Sequence, residues 1–271
     1  MVELNSEEEL DRLLTPFVKG EYISNSYFLK DGYLELIKKG VLYYHIQEEN
    51  LVLLEKRLQG EFYELFFFIS NLDKPVKLNS SVPLVMEIPY RGKKFYPLKE
   101  LSYWELSGFS EHIKRGLFSA QAKNITLSNS FLWNEIDYSI ISDATEASVI
   151  LNQIEKSFDK FTGDMLEVED VLHSIENGEI VGAYHNDELA GFLKFYNKKN
   201  ISWIGHVVII SKFRGKGIGK QMMEYYLRHQ IQSGIKVFQQ WVVEDNLPAL
   251  KLYEGFGFKY INKNTVSLLK Q

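Results

Sequence analysis

Eight residues, Phe213-Arg-Gly-Lys-Gly-Ile-Gly-Lys220, constrain this chain more than any other stretch. They stand between an apolar, strand-like run, Ile201 to Ile210, and an amphipathic helical run, Lys220 to Gln232. Gly215, Gly217 and Gly219 let successive backbone N–H groups turn toward one point with no side chain in the way. The helix that follows adds the positive end of its dipole. Lys212, Arg214, Lys216 and Lys220 bring four cations with no acid between them. A strand, a cationic glycine loop and a helix in this order imply a cradle for a pyrophosphate-like anion. The loop is not a Walker A loop, because Gln221 follows Lys220 where Ser or Thr is required. Nor does it follow the first strand of a parallel sheet, as a dinucleotide fingerprint would.

The flanking sequence reads as alternating elements. Tyr138 to Ile141 has strand character, Asp143 is placed to cap a helix over Ala144 to Phe158, and Val168 to Glu176 repeats the helical period before Asn177-Gly178. Glu179 to Tyr184 and Glu188 to Tyr196 flank Asn186-Asp187, a pair suited to the left-handed backbone of a tight hairpin. After the glycine loop come a helix, a strand over Ile235 to Val243, a helix over Pro248 to Glu254 and a last strand within Phe258 to Leu269. The expected order is β-α-α-β-β-β-α-β-α-β.

The first half yields short runs of apolar, aromatic and β-branched residues: Val41 to His45, Leu51 to Arg57, Glu61 to Ile69, Val82 to Pro89 and Ile113 to Ala120, with a short helix over Tyr96 to Trp104. Tyr103-Trp-Glu-Leu-Ser-Gly-Phe109 superposes on Leu252-Tyr-Glu-Gly-Phe-Gly-Phe258, Gly108 falling on Gly257 at an offset of 149 residues. Tyr44-His45 before Leu51 to Arg57 echoes Tyr184-His185 before Leu189 to Tyr196. These matches predict a tandem duplication, with domains at 1–135 and 136–271 joined near residues 122–140.

Composition removes several classes of function. A formal charge of −5, from 31 Lys and Arg against 36 Asp and Glu, leaves no basic surplus for nucleic acid or anionic lipid. The chain has no cysteine, which excludes disulfides and thiolate chemistry and favours a cytoplasmic location. The acidic N-terminal stretch and the shortness of runs such as Leu65 to Ile69 predict no membrane partner. The six histidines are scattered without ligand spacing, so no metal is expected.

Arg214, Gly217 and Gly219 meet the signature Arg/Gln-x-x-Gly-x-Gly/Ala, and Asn246, Ala249, Leu252, Tyr253, Gly257 and Phe258 meet Asn-x-x-Ala-x-x-Leu-Tyr-x-x-x-Gly-Phe. On these residues, about Tyr138 to Gln271 resembles the GNAT superfamily of acyl-CoA-dependent N-acyltransferases. The resemblance implies an α+β fold with a mixed, mostly antiparallel sheet flanked by helices, in two tandem units of which the first is degenerate. It lacks the signature, having only Arg91-Gly92-Lys93-Lys94, and carries Trp104 at the position of Tyr253.

The resemblance further implies acetyl-CoA as acyl donor. Its pyrophosphate would sit on the amides of Arg214, Gly215, Lys216, Gly217, Ile218, Gly219 and Lys220. Its pantetheine arm would lie between two splayed strands, against Val208, Ile209 and Ile210. Asn246 would hold the pantetheine side or cap the following helix. Tyr253 is the expected general acid for the departing thiolate, the alternative being a packing role, and the Ile209 N–H the expected oxyanion donor. For the general base, Trp203, Gly205, Val207 and Ile209 share the expected face and none takes a proton. His206 points the other way, as a packed or rim histidine, unless a bulge reverses it to serve as the base, and an ordered water, Glu244 or Asp245 are the alternatives. The expected function is N-acetyltransfer to the primary amine of a small molecule. The rival is an acyl-CoA-binding sensor without turnover.

Overall fold

The computed structural model describes residues 1–27, 29–58, 61–128 and 135–271, so 129–134 of the expected linker lie outside the described residues. The chain packs as two units, residues 1–114 with 263–271, and residues 115–262. This differs from the expected division at 135/136 in two places. The first half ends earlier, and the last nine residues of the chain pack with the first unit.

The first half supplies β1 (Val2–Glu3), α1 (Glu7–Leu14), β2 (Ile23–Ser24), α2 (Lys30–Lys38), β3 (Leu42–Gln47), β4 (Asn50–Arg57), β5 (Phe62–Ile69), β6 (Leu84–Arg91), α3 (Leu98–Leu106) and β7 (Ser110–Gln121). The second supplies β8 (Asp137–Ile140), α4 (Ala147–Ser157), α5 (Val168–Glu176), β9 (Ile180–His185), β10 (Glu188–Lys198), β11 (Ile201–Ile209), α6 (Ile218–Gln232), β12 (Val237–Val243), α7 (Leu247–Gly255) and β13 (Lys259–Lys270). Asn186 and Asp187 take φ of 49° and 62°, the left-handed pair that closes the β9–β10 hairpin. Asp143 caps a 3-10 turn leading into α4, its Oδ1 accepting from Thr145 N at 2.9 Å.

The second unit's sheet runs β7-β12-β11-β10-β9-β8, antiparallel except for β11 and β12. Alternate side chains separate two cores. Ile218, Met222, Met223, Tyr226 and Leu227 of α6 cover one face with Tyr253 of α7 and Phe256 just after it, while α4 and α5 cover the other through Ile150, Ile154, Val171 and Ile175. The α6 residues recur at helical spacing, and each such side chain, fully buried, contributes on the order of 1.5–3 kcal/mol.

The first unit repeats this plan. Its sheet runs β1-β3-β4-β5-β6-β13, antiparallel except for β5 and β6. Helices α1 and α2 cover one face. On the other, where the second unit places α6, the segment between β5 and β6 buries Val76 and Leu78 beside Trp104. Asn50 latches that segment: its Nδ2 donates to the carbonyls of Asn71 and Lys74, and its Oδ1 accepts from the amides of Ser70 and Asn71. In each sheet the strand at the far end from the hairpins comes from the other half of the chain, β13 in the first and residues 115–121 of β7 in the second. Helices α3 and α7 both have nine residues, β7 and β13 both have twelve, and each pair is offset by the 149 residues of the sequence match.

Candidate functional site

Strands β11 and β12 pair only from Ile201↔Val237 to Trp203↔Gln239. Beyond that point β11 runs on to Ile209 and β12 to Val243 with no pairing between them among the described residues. The second unit's sheet therefore forks. Ile210 N donates to Ala190 O at 2.9 Å, which sets the phase of the β10–β11 ladder: His206 and Val208 exchange backbone bonds with β10. The N–H and C=O groups of Val207 and Ile209 then point into the fork. Ile209 O accepts from Arg214 Nε at 2.9 Å, so Arg214 holds the end of the strand against the loop. Val208, expected beside the cofactor, instead lies in the core beneath α4 and α5. The Val207 side chain lies on the opposite, α6 face. Ile210 packs against the α6 core with Val207 and Ile209.

At the open end of the fork lies the glycine loop. Gly215 and Gly217 both have φ of 79°, and a Cβ on either would meet nothing within 4 Å, so these residues are required for backbone conformation rather than for space. Gly217 is the left-handed N-cap of α6, and Ile218 begins the helix. Gly219 faces β11, where a Cβ would make an ordinary contact 3.5 Å from Ile209 Cγ1. Among the described residues, no hydrogen bond takes up the N–H groups of Gly215, Lys216, Gly217, Ile218 and Gly219. Lys212 is engaged by Glu188, whereas Lys216 and Lys220 make no ion pair with a described residue. Five amides with no described partner at a helix N-terminus, beside two lysines without an ion pair to a described residue, suit a diphosphate.

A bulge decides where His206 points. The β10–β11 register shifts between Lys194↔His206 and Phe195↔Ile204, leaving Gly205 unpaired. Before it, Ser202 and Ile204 face α6, Ser202 Oγ accepting from Tyr226 OH at 2.6 Å. After it, Val207 and Ile209 take the α6 side, and His206 turns with Val208 toward α4 and α5. His206 is 1% exposed, and the Phe158 ring stands edge-on to it at 4.7 Å. Its Nε2 lies 2.9 Å from Gly163 O, and since a carbonyl only accepts, Nε2 carries the proton. Nδ1 is then a bare lone pair, buried and without a partner among the described residues. Burial holds the imidazole below its usual pKa, opposed by the Gly163 carbonyl and the Asp164 carboxylate, and reinforced by Lys194. The ring is neutral at physiological pH.

Tyr253 lies on α7 in the α6-side core, 3% exposed, with its ring 5.5 Å from Phe258. Its hydroxyl makes no hydrogen bond to a described residue, and burial pushes its pKa up, keeping the proton on oxygen. Asn246 caps α7, its Oδ1 accepting from Ala249 N at 3.2 Å. Glu244 and Asp245 are exposed in the turn before it. The sequence carries no sign of one further polar group: Gln240, the first residue of β12 past the paired segment, has a buried Oε1 without a partner among the described residues. Among the described residues no group of three His, Asp or Glu could hold a metal ion, and no helix is long and apolar enough to cross a membrane.

Residues 149–258 match the family model described as Acetyltransferase (GNAT) family. Spermine/spermidine N(1)-acetyltransferase from Bacillus subtilis (strain 168) is 25% identical over 138 residues, covering 46% of this chain and 88% of the relative. A GCN5-related N-acetyltransferase from Sphaerobacter thermophilus has a TM-score of 0.60 at 13% identity, covering 82% of this chain and 76% of that one. A tandem GNAT protein from the clavulanic acid biosynthesis pathway has a TM-score of 0.57 at 12% identity, covering 99% and 97%. The forked sheet, the glycine loop and these likenesses agree, and over residues 149–258 this chain carries a domain of the GNAT acetyltransferase family.

Proposed function

We propose that the protein transfers an acetyl group from acetyl-CoA to a primary amine of a small molecule. The observation that carries this reading is the run of five unpaired amides, residues 215–219, at the open end of the β11–β12 fork. When bound, acetyl-CoA supplies a thioester activated toward amines. The loop amides with Lys216 and Lys220 hold its diphosphate, and the Val207 and Ile209 backbone groups pair with its pantetheine arm as a neighbouring strand would.

His206 Nδ1 takes a proton from the amine as the N–C bond forms. The Ile209 N–H receives the charge that develops on the carbonyl oxygen, and Tyr253 gives its hydroxyl proton to the departing sulfur as the C–S bond breaks. The imidazolium and the phenolate then return to their starting states through solvent. His206 and Tyr253 belong to the cores on opposite faces of the sheet, and the fork is the opening between those faces.

The first unit supplies no second cofactor site on this reading. Its own fork, where β5 and β6 part after Tyr63↔Leu84 and Glu64↔Val85, is spanned by the chain itself. Strand β2 pairs with β5 at Ile23↔Ile69 and Ser24↔Phe68. The next residue, Asn25, donates from Nδ2 to Leu65 O at 2.9 Å and Glu87 O at 3.0 Å, while Phe67 N donates to its Oδ1 at 2.8 Å.

The test is thiol release from acetyl-CoA across an amine panel, begun with spermidine because the bacillary relative's name specifies it. Amine-dependent release supports the proposal. Tight acetyl-CoA binding without release on any amine favours the sensor instead.

A further inference from the structure

The loop between α4 and α5 does more than cover His206. Asp159 Oδ1 accepts from Phe161 N, Thr162 N and Thr162 Oγ1 at 3.2, 2.9 and 2.8 Å, and Gly163 N closes the turn on Asp159 O at 2.7 Å. From β7, Arg115 Nη2 donates to both Thr162 O at 2.7 Å and Thr162 Oγ1 at 2.6 Å. The turn tolerates no side chain at its end: a Cβ on Gly163 would lie 2.4 Å from Asp159 O and 2.7 Å from Phe158 Cβ. What this clamp presents to the ring is the Gly163 carbonyl, at 2.9 Å from His206 Nε2, with the Asp164 backbone beside it. The other ring nitrogen, in a residue 1% exposed, has no partner among the described residues.

We propose that Gly163, held by Thr162, Asp159 and Arg115, is a positioning residue that locks His206 in its Nε2–H tautomer and so reserves the Nδ1 lone pair for the acceptor amine. The inference rests on His206 as the general base. A neutral imidazole free to choose would spread its proton over both nitrogens, and the fraction carrying it on Nδ1 would meet the amine with a donor instead of an acceptor. A carbonyl on a rigid turn removes that fraction without adding charge. The charged groups around the ring are Asp164, next in the same loop, and Lys194, opposite His206 on β10. Neither occupies Nδ1, so the tautomer is set by the loop backbone.

The test combines a spectroscopic and a kinetic readout on the full chain. Histidine-labelled ¹⁵N spectra of the wild type should show His206 protonated at Nε2 alone. Arg115→Ala and Gly163→Ala should give a mixed tautomer signal and a kcat lower by about tenfold or more, with KM for acetyl-CoA within about twofold. Arg115→Lys should restore part of both. If Gly163→Ala does not fold, Arg115→Ala carries the test. His206→Gln separates the two levels: full activity in that variant overturns the general-base reading itself. An inactive His206→Gln beside Arg115→Ala with unchanged tautomer and kcat overturns only the positioning role. A wild-type His206 protonated at Nδ1 overturns it as well.

Discussion

Trp104 and Tyr253 occupy the same place in two copies of one structural phrase. Phe109 N donates to Trp104 O at 3.0 Å and Phe258 N to Tyr253 O at 3.1 Å, with Gly108 and Gly257 between them at φ of 88° and 91°. The same turn thus closes both helices, and only the second carries a phenol at this position. Tyr253→Phe should keep the turn and the packing, lower kcat by about 100-fold as loss of an acid does, and leave acetyl-CoA affinity within about twofold. Stopped-turnover thiol assays and calorimetric titration check the two halves of this expectation.

Asn25 bridges the parted strands of the first unit, so its removal strands two carbonyls and an amide in a site 1% exposed. Asn25→Leu should cost about 2–4 kcal/mol of stability in urea denaturation. In the wild type, titration should find one coenzyme A bound per chain. Two would mean that the β5–β6 fork also opens to the cofactor.

Gly217 can be replaced in two ways that share a backbone penalty and differ in charge. Both Gly217→Ala and Gly217→Glu force a side chain into φ of 79°, at a cost of about 1–2 kcal/mol. Only the glutamate sets a negative charge at the start of α6. Coenzyme A affinity in Gly217→Glu should fall below that of Gly217→Ala by about tenfold or more, as titration calorimetry would show.

Glu64 on β5 makes the first unit sensitive to alkali. Burial pushes its carboxyl up to about 7 from a usual 4.5, Arg57 at 3.1 Å opposing the rise and Glu55 and Glu87 adding to it. The folded chain keeps this proton after the unfolded chain has released it. The associated stability is therefore present below about 4.5 and lost as pH rises through about 7. Between pH 5 and 8 the wild type should lose about 1–3 kcal/mol more stability than Glu64→Gln, read from urea midpoints.

What could be read from the sequence was local. The Asn186-Asp187 hairpin, the glycine loop, the helix over Val168–Glu176 and the 149-residue echo each depend on neighbours in the chain, and each has its structural counterpart. What escaped depends on distant partners. Gly205 looks like any strand glycine until the β10–β11 register skips it and so shows the bulge that turns His206 toward the α4–α5 loop. Asn25 carries no signal of the strands it bridges, because Leu65 and Glu87 lie far along the chain. β13 reads as the last strand of the second half, yet Lys263 to Lys270 pair with β6 of the first. Alternation dictates a strand's faces but not which edge it joins.

The central claim is that the amides at the head of α6 grip a coenzyme A diphosphate. Titrating coenzyme A into ¹⁵N-labelled protein observes those groups themselves. Saturable shifts of the Gly215, Gly217 and Gly219 amide resonances are expected, with one ligand per chain. Resonances that stay in place at saturating ligand would contradict it.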